Sequence, residues 1–240
     1  AANIINSFFL NLNSNKQGTA ICLTENAAAV GIDKCIFTDC GTNNANMIIS
    51  VDSHNDCTIS NSIFNFTNAG SSNTAIRVSR FCKLNILNNY FTKTGRNMHT
   101  FWYQPTNGNV DDEDITIEGN VFDNVVSHST GVRALYIKLE TNNIRYHNNT
   151  IENIPESYYT MVFSFSKELS IRLSSCTFRN IISHDQFGGG AGFWAQRDKN
   201  AHYYLIFEDC LFENSYAKGH DKYHTNSKSY NCSLSTLSAQ

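Results

Sequence analysis

Five side chains of types that contact carbohydrates stand at corresponding points of a repeating sequence: Arg77, Trp102, Tyr136, Lys138 and Trp194. Sugar rings lay their apolar C–H faces on aromatic rings, and guanidinium or ammonium groups pair with sugar carboxylates. A second group is the run Asp111-Asp112-Glu113-Asp114, in which Asp111, Asp112 and Asp114 could offer hard oxygens to Ca²⁺. A charge run in a loop is equally the ordinary make-up of a solvated turn. A third group is Glu118, Arg145, His147 and Arg172, with Glu208 further along. These could form a site, or could pair across neighbouring strands and keep a sheet face soluble. No Ser–His–Asp pattern, phosphate loop or Cys-x-x-Cys metal pair is visible.

What positions these residues is a repeat. The triplets Ser7-Phe8-Phe9, Cys35-Ile36-Phe37, Ser62-Ile63-Phe64, Asn89-Tyr90-Phe91, Asn120-Val121-Phe122, Asn149-Thr150-Ile151, Cys176-Thr177-Phe178 and Cys210-Leu211-Phe212 follow one another at 28, 27, 27, 31, 29, 27 and 34 residues. Five residues before each anchor stand Ile4, Ile32, Ile59, Ile86, Ile117, Tyr146, Leu173 and Phe207, and seven before stand Ala2, Val30, Cys57, Leu84, Ile115, Ile144, Ile171 and Leu205. Two residues after most anchors comes Asn or Asp: Asn11, Asp39, Asn124, Asn153, Asn180, Asn214. Apolar residues alternating at period 2, interrupted by polar turns, describe short strands. Strands that recur every coil with the same face inward share a core by stacking, about 4.8 Å per rung.

The fold class expected is all-β: a single-stranded right-handed parallel β-helix (solenoid) of about eight coils, three short strands per coil. Residues 1–217 form the helix, and the polar segment 218–240 is a possible cap. Third strands are expected at Ala20–Leu23, Met47–Val51, Ala75–Val78, Phe101–Tyr103, Leu135–Leu139, Met161–Phe165 and Phe193–Ala195, with Gln104–Asp114 among the insertions beside them. Alternation there puts Ile76, Val78, Leu135, Ile137, Phe193 and Ala195 inside, and the Arg77, Trp102, Tyr136, Lys138, Trp194 row outside. At the tight turn, Asn89, Asn120 and Asn149 read as a structural ladder whose amides bond from coil to coil and whose backbone tolerates left-handed conformations. Phe37, Phe64, Phe91, Phe122, Phe178 and Phe212 should form one interior stack.

Composition bounds the function. The 240 residues carry 18 Lys+Arg against 21 Asp+Glu, a net charge of -3, which leaves no electrostatic footprint for nucleic acid. No apolar run approaches the roughly 18–20 residues of a membrane span, and residues 1–20 lack the pattern of a secretory signal. Eight Cys and the sequons Asn65-Phe66-Thr67, Asn148-Asn149-Thr150 and Asn231-Cys232-Ser233 suit a secreted protein, although in so Asn-rich a chain sequons also arise by chance. Cys176 and Cys210 occupy equivalent turn positions with parallel Cβ vectors, which favours a reduced Cys ladder over a bridge.

With these coils, turns and ladders, nearly the whole chain resembles the pectate-lyase-like right-handed parallel β-helix superfamily. The Phe-x-Asn steps and Gly188-Gly189-Gly190-Ala191-Gly192-Phe193 also resemble polymorphic outer-membrane-type surface proteins, although Gly-Gly-Ala occurs once here and Phe-x-Asn is one residue short of their Phe-x-x-Asn motif. The first resemblance implies a polysaccharide groove along the outer face of the third-strand sheet. In a lyase, an Arg or Lys would abstract a proton beside a uronate carboxylate with Ca²⁺ alongside. The Asn-Thr-Asp step, Asp pair, Gly-His-Gly and Arg-Ile-Lys of the superfamily's inverting hydrolases do not occur as a set, because Asp111-Asp112 stands alone.

The leading expectation is therefore an extracellular or cell-surface, adhesin-type and non-catalytic β-helix. It would bind a polysaccharide, a surface glycan or another protein through the aromatic and basic strip and its loops. A polysaccharide lyase on the same face is the alternative, and an architectural fibre segment a further one. Apart from Ca²⁺ no cofactor is implied. Because Ala2, Ile4 and Phe9 already occupy core positions, further β-helix coils or a subunit are expected at the N-terminal end.

Overall fold

Alternating apolar residues can bury only one face of a strand, and this chain buries that face by coiling. The computed structural model describes residues 1–12, 14, 18–41, 47–66, 74–92, 99–125, 133–157, 159–165, 168–183, 193–197 and 203–217. Its strands form three parallel sheets of eight, nine and seven strands, each strand pairing with the equivalent strands of the neighbouring coils. The architecture is a parallel β-solenoid with three strands per coil. Among the described residues seven coils have all three strands and an eighth has two, slightly fewer than about eight complete coils. Parallel crossover connections are right-handed in nearly all proteins. The segment 218–240, the possible cap, lies outside the described residues.

The register is the one the repeat dictates. In the first sheet Ala2 pairs with Val30, Val30 with Cys57, Cys57 with Leu84, Leu84 with Ile115 and Ile115 with Ile144. In the second sheet the anchors pair in line through Phe9, Phe37, Phe64, Phe91, Phe122, Ile151, Phe178 and Phe212. The Phe rings lie nearly parallel, 4.7–4.9 Å apart from Phe9 to Phe122, and Phe178 and Phe212 stack at 4.9 Å. The expected single stack is thus two runs, because Ile151 occupies the rung between Phe122 and Phe178 and has no ring to continue it.

Between the first and second sheets the turn runs through an interior ladder. Asn89, Asn120 and Asn149 are each at most 1% exposed. The Asn120 Oδ1 accepts from the Asn89 backbone N–H at 2.9 Å and Nδ2 at 3.1 Å, while Asn120 Nδ2 donates to Ile86 O at 2.7 Å and to Asn149 Oδ1 at 3.0 Å. Ser62 and Cys35 extend the ladder upstream, Ser62 N donating to Asn89 Oδ1 at 2.9 Å and Cys35 N to Ser62 Oγ at 3.0 Å. The left-handed backbone expected at the ladder Asn belongs instead to the residue before it: Asn6, Lys34, Asn61, Asn88, Asn148, Ser175 and Asp209 have φ of 50–54°, and Gly119 has 69°. The ladder residue must aim its amide inward at its neighbours' backbone, so the residue outside the corner takes up the reversal. The Asn or Asp after the anchor is a second such corner, with Asn11, Asp39, Asn124, Asn153, Asn180 and Asn214 at φ of 48–55°.

Third strands span Ile21–Leu23, Met47–Val51, Thr74–Arg80, His99–Asn107, Arg133–Leu139, Tyr159–Phe165 and Phe193–Arg197. They are mostly longer than expected, and His99–Asn107 absorbs the start of the insertion assigned to Gln104–Asp114. Cys22, Cys35, Cys40, Cys57, Cys82, Cys176 and Cys210 are all free, and all but Cys22 are buried. The thiols act as small ladder and core groups: Cys40 donates to Phe9 O at 3.1 Å and Cys176 to Ser174 O at 3.2 Å. Among the described residues no helix is long and apolar enough to cross a membrane.

Candidate functional site

Alternation along the third sheet puts Ile76, Val78, Leu135 and Ile137 in the interior, all completely buried. Ser50, Arg77, Trp102, Tyr136 and Val162 then form one outward column, each pairing with the next by backbone register. At its centre the Arg77 guanidinium lies over the Trp102 indole, 5.1 Å from its centroid. Tyr136 meets the same ring edge-on at 5.9 Å, and the His99 ring lies 4.5 Å away at a tilt. Trp102 Nε1 donates to Gln104 Oε1 at 2.9 Å on its own strand. The indole is therefore held on three sides and remains half-exposed.

The structure brings together only part of the expected strip. Tyr136 is 9% exposed and Val162 1%, so they form with Trp102 a small apolar cluster on the outside of the solenoid. Tyr136 faces out of the coil as its parity predicts, but it is covered rather than open to solvent and backs Trp102. Lys138 stands two residues along the same strand, half-exposed, with its ammonium 3.5 Å from Glu140 Oε1. The backbone of Trp194 pairs with Val162, but its side chain lies outside the described ones. The accessible members are Arg77, Trp102 and Lys138.

The acidic run does not converge. Asp111 and Asp112 sit exposed on the 3₁₀ turn Val110–Asp112, where Asn109 Oδ1 caps the Asp111 N–H at 3.2 Å. Asp114 points out, 3.9 Å from Lys83 Nζ. Glu113 turns inward and is fully buried. It accepts from Thr141 N at 2.5 Å, Thr141 Oγ1 at 2.7 Å, Tyr103 OH at 3.0 Å and Glu140 N at 3.1 Å. Burial pushes its carboxyl above the ordinary glutamate range, against the hydrogen bonds that lower it. The sequence carries a signal for this inversion: Glu113 shares the parity of the interior Ile115 and Ile117. Among the described residues no three His, Cys, Asp or Glu side chains come together in a group that could hold a metal ion.

The third constellation resolves into cross-rung pairs. Arg145 Nε lies 3.0 Å from Glu118 Oε2, Arg172 Nη1 donates to Glu208 Oε2 at 2.7 Å, and His147 Nδ1 shares a 2.9 Å hydrogen bond with Ser174 Oγ. On the second sheet Arg179 pairs likewise with Glu152 at 2.6 Å. Pairs of this kind tie neighbouring strands and leave no acid and base aimed at a common point.

No family, curated protein or solved structure matches the chain.

Proposed function

We propose that this solenoid is an extracellular or cell-surface binding scaffold that holds a glycan or protein partner against the outer face of its third sheet. The observation that supports this is the Trp102 indole, held half-exposed under the Arg77 guanidinium and backed by Tyr136 and Val162. A ring fixed in advance loses little freedom when a sugar face stacks on it, and Lys138 on the next coil adds a positive charge for an acidic ligand. On the first sheet Glu118 pairs with Arg145 and Arg172 with Glu208, which supports a structural role for that face and leaves the third-sheet face to the ligand.

The test is retention of the full chain on an array of neutral and acidic glycans, with Trp102→Ala and Lys138→Ala compared with the parent. Trp102→Ala should weaken binding at least about tenfold, the equivalent of about 1.4 kcal/mol. Lys138→Ala should weaken acidic ligands selectively while leaving the melting temperature in place. An array profile unchanged in both variants overturns the reading. Release of unsaturated uronate products, followed by ultraviolet absorbance, would replace it with the lyase.

A further inference from the structure

The corner between the first and second sheets carries one feature that neither the scaffold nor the binding strip uses. Its outermost column runs Asn6, Lys34, Asn61, Asn88, Gly119, Asn148, Ser175 and Asp209, each residue left-handed and each rung one coil further on. Two of its Asn side chains are engaged across rungs. Asn61 Nδ2 donates to Asp33 Oδ1 at 2.7 Å, and Asn88 lies over Gly119 so closely that a Cβ there would overlap its Oδ1. Asn148 differs. It is exposed, its backbone N–H donates to Ser174 O at 2.9 Å, and the neighbours that flank it in the column are Gly119, with no side chain, and Ser175, with a short one. Asn148 also opens the sequon Asn148-Asn149-Thr150. The middle residue, Asn149, is the buried ladder member, so Asn148 and Thr150 stand outside while the residue between them is locked in the interior.

We infer that Asn148 is an N-glycan attachment site. The Asn148 side-chain nitrogen attacks the anomeric carbon of a lipid-pyrophosphate-linked oligosaccharide on an oligosaccharyltransferase. The bond from that carbon to the pyrophosphate oxygen breaks, the amide loses one proton, and the lipid pyrophosphate leaves; no electrons change hands. Asn149 must be extended for that transfer and buried afterwards, so the sugar is added before this coil docks. The finished solenoid accepts the product because the corner beside Asn148 is open and its amide supports no ladder. Asn65 is the contrasting case: it is half-buried on the outer face of the second sheet with its Oδ1 covered between Thr38 and Thr92 of the adjoining coils, which leaves a glycan less room than the open corner at Asn148. The inference rests on the extracellular reading for its use in the cell.

The full chain is to be directed through a eukaryotic secretory pathway, recovered from microsomes and medium, and mapped after enzymatic deglycosylation in ¹⁸O water. The expected result is the isotope mark at Asn148, lost in Asn148→Gln and Thr150→Ala, kept in Thr150→Ser, with unchanged melting temperatures for all three. An unmarked Asn148 in both fractions overturns the inference, as does a mark at Asn65 with Asn148 blank. Neither result bears on binding at Trp102, which the array measures separately.

Discussion

Replacing Asn120 by Ala tests the ladder at its centre. The side chain accepts from the Asn89 backbone N–H and from Asn89 Nδ2, and donates to Ile86 O, Glu118 O and Asn149 Oδ1. Ala removes all of these at a position with no exposed surface. The Asn89 N–H is then a buried donor without an acceptor, which costs about 1–3 kcal/mol, and the lost donated bonds add on the order of 1 kcal/mol. The expected destabilisation is about 2–4 kcal/mol, a large share of the roughly 5–15 kcal/mol of a folded domain. With a urea slope of about 2 kcal/mol/M, the midpoint falls by roughly 1–2 M. Asn120→Asp restores the acceptor but not the donors and should fare no better, which separates hydrogen bonding from shape. The control is Asn180→Gly on the exposed corner, where Gly keeps the left-handed backbone and only the solvent-accessible bonds to Asn153 and Asn214 are lost. Urea unfolding of Asn120→Ala at the same midpoint as Asn180→Gly would refute the ladder as a source of stability.

Three further outcomes are expected. Phe64→Ala, between Phe37 and Phe91 with both rings at 4.7 Å, should lose about 3–5 kcal/mol in the same assay, and a parent-like midpoint would show that the stack does not carry the core. Burial raises the Glu113 carboxyl, so its contribution is full below the ordinary glutamate value of 4.5 and declines as pH rises through the folded value. The melting-temperature gap between Glu113→Gln and the parent should accordingly move in favour of the variant as pH rises from about 4 to 7, and a gap that is flat or runs the other way contradicts the assignment. Burial pushes the Cys57 and Cys82 thiols up to about 12, so alkylation of the native chain near neutral pH should mark exposed Cys22 and spare both; non-reducing peptide maps that contain a Cys176–Cys210 link would overturn the reduced ladder.

Much of the fold is legible because a parallel solenoid writes its contacts into fixed offsets. Residues that pair, such as Leu84 with Ile115 or Phe91 with Phe122, sit at the same distance from the same turn, and parity separates inside from outside. Glu113 shows parity deciding even against charge, since its carboxylate is satisfied by Thr141, Glu140 and Tyr103 from neighbouring strands. Parity fails for Tyr136. It states correctly that the ring points out of the coil, but it does not say how closely Trp102 and Val162, the neighbours in the column, pack against that ring. The left-handed corner was displaced by one residue for a related reason: Asn suits both the corner and the ladder, and only the direction of the amides distinguishes Asn88 from Asn89.

The cross-rung register also sets how the protein responds to force. The backbone hydrogen bonds that join coils run along the solenoid axis, and each coil holds only the next. Tension applied between the two ends therefore loads one inter-coil seam at a time and peels coils in sequence. Each release frees about 27 residues, the commonest spacing in the chain, or roughly 90 Å of extended polypeptide. Where the ring column is interrupted at Ile151, between Phe122 and Phe178, the seam lacks aromatic stacking on both sides. Under such tension the solenoid would lengthen coil by coil while the coils not yet reached keep their pairing.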